Sequence, residues 1–72
     1  MFGFQGGEST DTVARKRGYM ADAQRKWRFL TNFDCSTIHT EGQLLTMVRV
    51  RSGISHTQAK QDVDAWTAGK EF

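Results

Sequence analysis

The chain has no proline, a single cysteine, and no apolar run longer than a few residues. With one cysteine, Cys35, an internal disulfide framework is excluded, and the thiol suits a reducing compartment. Without a long apolar run, no segment is suited to cross a bilayer. The opening "MFGFQGGEST" lacks a basic region followed by an apolar one, so no secretory signal is expected and a cytoplasmic location is the default. Residues with β-branched side chains never alternate for long enough to make a sheet, whereas Ala, Gln, Lys, Arg and Leu are plentiful and favour helix.

At 72 residues the chain holds at most one domain, which buries roughly 60% of its unfolded surface. A hydrophobic content of 38% and a mean hydropathy of −0.59 make for a thin core. The expected fold is all-α, a small bundle of three to four short helices in one domain.

Residues 1–9 have no periodicity and read as a flexible tail with exposed-looking Phe2 and Phe4, either of which is free to dock. The domain occupies residues 10–72. A first helix starts at Ser9 or Thr10, with Asp11 near the positive end of its dipole. Val13, Met20 and Trp27 recur every seven residues, with Ala23 and Leu30 between them, giving one apolar stripe. Thr31 followed by Asp34 imitates a helix start, and one or two turns are expected there, with Phe33 and Ile38 pointing inward. A further start at Thr40 leads into an apolar-faced helix over 41–52 containing Leu44, Leu45, Met47 and Val48, with Gly53 as its left-handed stop.

The stretch "RSGISHTQAKQDVDAW" (51–66) then marks a reversal. Ser55 and Gln58 have capping-box spacing, Ile54 and Ala59 have hydrophobic-staple spacing, and Ala59, Val63 and Trp66 form the apolar face of the last helix. The expected core is Val13, Met20, Ala23, Trp27, Leu30, Ile38, Leu44, Leu45, Val48, Ile54, Ala59, Val63 and Trp66. No internal repeat is visible.

Several chemistries compete. Cys35, beside Asp34 and four residues before His39, can be drawn as a nucleophile and base. However, no glycine loop lies nearby to supply an oxyanion site, and chance spacing explains the pair better. Asp34, Cys35, His39 and His56 lack metal-site spacing, so neither metal nor cofactor is expected. No enzymatic activity is expected.

Nucleic-acid binding is the stronger rival. Arg15, Lys16, Arg17, Arg25, Lys26 and Arg28 give the first thirty residues six basic against three acidic side chains, while the remainder has four against five. The helix, turn and helix around Gly53 resemble a helix-turn-helix in outline, but Asp62 and Asp64 offset what Lys60 offers to phosphate. A membrane-surface reading of 12–30 competes with the need for Met20, Trp27 and Leu30 in the core.

Trp27, Leu30 and Thr31, in the order tryptophan, two residues, leucine, threonine, are followed by Gln43 and Leu44, Arg51 and Gly53, Ala59 and Val63, and a closing Trp66. Over roughly residues 25–67 this pattern resembles the CsbD-like family of small bacterial stress-associated proteins. The chain departs from it at Asn32, Phe33 and Asp34, where an acidic run is usual, and at Ser52, where tyrosine is frequent. It is also one residue short between Thr31 and Gln43, and "ARKRG" stands where the family has an early tryptophan motif. The resemblance implies about four short helices, a role in general stress, and no catalytic residues to carry over. It makes Trp27 and Trp66 core anchors. The function expected is that of a non-enzymatic protein acting through interaction surfaces, on an unidentified protein partner or by self-association through Phe29, Phe33 or Phe72. The alternative is nucleic-acid binding through the basic first helix.

Overall fold

In the computed structural model, which describes residues 1–2 and 6–70, each helix starts where a side chain can satisfy free backbone amides. Ser9 caps α1 (Thr10–Lys26) by accepting from the Thr12 amide at 3.2 Å. Thr31 and Asp34 form a reciprocal box at the start of α2 (Asn32–Thr37). Thr40 and Gln43 do the same for α3 (Glu41–Ser52). Ser55 caps α4 (His56–Thr67), accepting from the Gln58 amide at 3.1 Å. This last box is only half formed, because the Gln58 side chain donates to Asp62 at 2.9 Å instead of returning to Ser55. Among the described residues there are four helices and no strand, a small all-α bundle.

The stops are as specific as the starts. Gly53 ends α3 at φ 74°, its amide donating to the Arg49 carbonyl at 2.8 Å. A side chain there meets the left-handed penalty of about 1–2 kcal/mol. Gly53→Ala is therefore expected to lower the unfolding free energy by about 1 kcal/mol with an unchanged denaturant slope, measured by urea titration. At α4 the Lys70 ammonium donates to the Trp66 carbonyl at 2.6 Å and lies 4.5 Å from the Trp66 ring centre, a cation placed where a helix C-terminus favours one.

α1 ends sooner than its stripe suggests. Trp27 leaves helical geometry at φ −117°, ψ 89°, and the Leu30 amide closes a turn on the Trp27 carbonyl at 3.0 Å. Gln24 supports that turn, donating to the Asn32 side chain at 2.9 Å and the Leu30 carbonyl at 3.4 Å. Past this bend Trp27 and Leu30 both still lie in the core.

The core contains Phe2, Ala23, Trp27, Leu30, Cys35, Ile38, Leu44, Val48, Ala59, Val63 and Trp66, with Met1, Tyr19, Met20, Leu45, Met47 and Ile54 packed at its edge. The short 53–55 connection folds α4 back along α3, the closest helix pairing among the described residues. Trp27 and Trp66 meet edge to face at 5.5 Å, and Phe2 meets Trp66 the same way at 5.8 Å, the geometry aromatic quadrupoles prefer. A radius of gyration of 11.9 Å, against about 11 Å for a compact chain of this length, fits a single, somewhat elongated unit.

Three expectations are corrected. Phe2 is fully buried; its amide donates to the Ile38 carbonyl at 3.0 Å, while the Met1 amino group donates to the His39 carbonyl. Its anchor is tertiary, so local periodicity gives no sign of it. Phe33 faces outward at 76% exposure, because Asp34, Cys35 and Ile38 take the inward positions around it. Val13 is only half-buried and lies outside the core cluster. Phe4 and Phe72 lie outside the described residues.

Candidate functional site

The site is built on a lock between α2 and α3. Asp34 is 3% exposed, the one buried charged residue among those described. Its carboxylate accepts from the Arg51 guanidinium at 2.8 Å and from the Thr31 amide at 3.2 Å, while its own amide donates to the Thr31 hydroxyl at 3.0 Å. The Arg51 hydrogen bond, and then the Thr31 amide, hold this carboxyl below the usual carboxylate range. A cap that began as local chemistry is thus tied to the last turn of the next helix.

Beside this lock runs an open groove of about 590 Å³, lined on one side by Thr37 and Ile38 and along α3 by Gln43, Met47, Val50 and Arg51. The other flank of the same ridge has a smaller cleft of about 330 Å³ that includes Arg49 and Ile54. Thr46 and Val50 line both, and Val50 is 70% exposed. Phe33 stands one turn before Thr37 on the same side of α2, since residues four apart share a helix face.

The outer face of α3 therefore carries apolar side chains with Arg51 on one flank and Arg49 on the other. Among the described residues no carboxylate lines either cleft. The sequence signal for this face is that apolar residues encircle α3: Leu44 and Val48 point into the core, while Met47 and Val50 lie on other sides. A single-stripe reading passes over it.

The six basic residues singled out from the sequence do not form one patch. Successive residues step by about 100°, so Arg15 and Arg17 fall on opposite flanks of α1 and Lys16 between them turns toward the core. Lys16 pairs with Glu8 at 2.6 Å with both side chains nearly enclosed. Arg25 pairs with Asp22, and the Lys26 ammonium lies 5.6 Å from the Trp27 ring centre. Arg15, Arg17, Arg25, Lys26 and Arg28 are exposed. On α4, Lys60 is paired with Asp64 at 2.8 Å, so a phosphate approaching it meets that carboxylate as well. The lipid-facing reading loses Trp27 and Leu30 to the core.

Cys35 is buried, and its thiol is pushed up to about 11 by burial and then by the Asp34 charge. Asp34 beside it thus suppresses rather than activates the thiolate. At pH 8 a thiol of this kind is about 0.1% ionised, roughly a hundredfold less than an ordinary one. Alkylation of native Cys35 by iodoacetamide is expected to be at least about a hundredfold slower than in urea-unfolded protein, measured by mass spectrometry over time. His39 and His56 are exposed. Among the described residues no group of three or more His, Cys, Asp or Glu is placed to hold a metal ion, and no helix is long and apolar enough to cross a membrane.

No protein-family model, curated protein or solved structure matches this chain.

Proposed function

We propose that this chain is a non-enzymatic helical interaction protein whose working surface is the outer face of α3. The observation that carries the reading is the exposed Val50 ridge with its grooves, presented on a helix fixed in place by Asp34 and Arg51. Val50 alone would be an ordinary surface residue, but a ridge of Thr46 and Val50 with a groove along each flank offers a shape into which a partner's side chains can pack. The likeness of Trp27, Leu30, Thr31, Gln43, Leu44, Arg51, Gly53 and Trp66 to the CsbD-like pattern supports a setting in the bacterial stress response, in the cytoplasm.

A second reading, nucleic-acid binding, is favoured by the exposure of Arg15, Arg25, Lys26 and Arg28. Fluorescence titration with single- and double-stranded oligonucleotides at two salt concentrations separates the two. The interaction reading expects no salt-sensitive binding. An affinity that collapses with salt, and is lost when those four residues become alanine, establishes the other.

A further inference from the structure

We infer that the outer face of α3 takes up an acidic amphipathic helix from a partner protein, an inference that rests on the interaction reading above. α3 has apolar residues on two opposite sides. Leu44 and Val48 are buried in the core and Met47 is half-buried against it with one edge in the groove, while Val50 stands in the open. A helix that is apolar on more than one side is built to be covered on more than one side, and this chain covers only one.

The shape selects a helix. Gln43 and Met47, and Thr46 and Val50, are four apart, and Met47 and Val50 three apart, along α3, the repeat that an amphipathic helix laid in a groove can match. From Thr40 to Arg51 the groove runs about 16 Å, three turns of such a partner.

Charge selects its sign. Arg51 is half-exposed beyond its bond to Asp34, and Arg49 makes no ion pair among the described residues. Two arginines against the single carboxylate of Asp34 leave this ridge net positive by one among the described residues, and complementary charge sets partner choice and encounter rate. A phosphate backbone would answer the arginines but leave Met47, Val50 and Phe33 unused. A second copy fits worse. Two-fold pairing of this face gathers Arg49 and Arg51 of both copies into one seam, where like charges oppose each other, and the exposed side of α4, with Gln58, Lys60, Gln61 and Asp64, has no large apolar side chain to offer.

The test uses the full chain and three fluorescein-labelled synthetic peptides of about 14 residues. One carries leucines at helical spacing on a glutamate background, the second has lysine in place of glutamate, and the third has the first peptide's composition in permuted order. Anisotropy gives affinity, and ¹⁵N–¹H chemical shifts give location. The expected result is that the first peptide binds best and shifts Thr46, Met47, Val50 and Arg51. Val50→Glu, at an exposed helical position that leaves the core intact, weakens it by at least about tenfold. Arg49→Glu weakens the glutamate peptide and strengthens the lysine one.

Equal binding of the permuted or lysine peptide, shifts on another face, or no binding up to about 1 mM overturns the partner class. So does sedimentation showing the chain self-associating through Val50, or a duplex oligonucleotide shifting these same α3 residues. None of the peptide failures touches the interaction reading itself. That reading falls separately, if oligonucleotides bind through the α1 arginines.

Discussion

Phe2→Ala is expected to remove about 3–5 kcal/mol of folding free energy, out of a total of about 4–11 kcal/mol for a domain of this size. The side chain is fully enclosed, meets Trp66 edge to face, and is tied by its own amide to the loop between α2 and α3. Truncation leaves a void bordered by an indole that cannot relax into it without giving up Trp27 as well. Equilibrium urea titration, followed by tryptophan fluorescence, should show a much earlier midpoint with the same slope. Phe29→Ala, at a surface position, should move it by well under about 1 kcal/mol. If Phe2→Ala behaves like Phe29→Ala, the opening residues are not part of the core.

The second large effect concerns Asp34. Its folded-state pKa is depressed by Arg51 and by the Thr31 amide, so the stabilisation is fully present above the unfolded carboxyl value of about 3.9. It is lost as pH falls through the lower folded value. The unfolded state takes up its proton first, and stability drops in that window. Asp34→Asn keeps the size but cannot offer one oxygen to Arg51 and another to the Thr31 amide. The gap in melting temperature between wild type and Asp34→Asn should therefore be wide at about pH 7 and narrow steadily below about pH 4. Asp64 is also held low, by its hydrogen bond from Lys60, so the residual acid slope shared by both proteins belongs in part to that exposed pair. A gap that stays constant from about pH 7 to about pH 3 would mean that the amide in this variant disturbs packing and that the ionised pair contributes little. Arg51→Met, which removes the other partner, should lower the melting temperature at neutral pH as well, since it leaves a buried carboxylate without its cation.

How far the sequence reveals this molecule depends on the range over which each residue acts. Ser9, Thr31, Thr40, Ser55 and Gly53 act within one helical turn, so the starts and stops of the helices are legible from neighbouring letters. Trp27, Leu44, Val48, Val63 and Trp66 follow from periodicity, because a small bundle needs every long apolar side chain that recurs on one face. Phe2 and the partnership of Asp34 with Arg51 depend on segments far apart in the chain, and no local pattern records them. Phe33 misleads for a different reason. In a helix of six residues the inward side is chosen by which neighbours are already claimed, and Cys35 and Asp34 take it.

The candidate surface was legible only in part. Arg15, Lys16 and Arg17 are adjacent as letters, and adjacency suggests a patch, yet helical geometry spreads them around α1 and Glu8 draws Lys16 inward. The reverse holds for α3. There Met47 belongs to the apolar face read from the sequence while Val50 draws no notice, and only the placement of α4 shows which side is already covered.

The aromatic trio of Phe2, Trp27 and Trp66 also fixes the order of events during synthesis on a ribosome. Two of its members emerge early, but their common neighbour belongs to α4 and leaves the exit tunnel well after both. The nascent chain must hold a phenylalanine and an indole in water, with α1 already long enough to form, until Trp66 arrives to close the core.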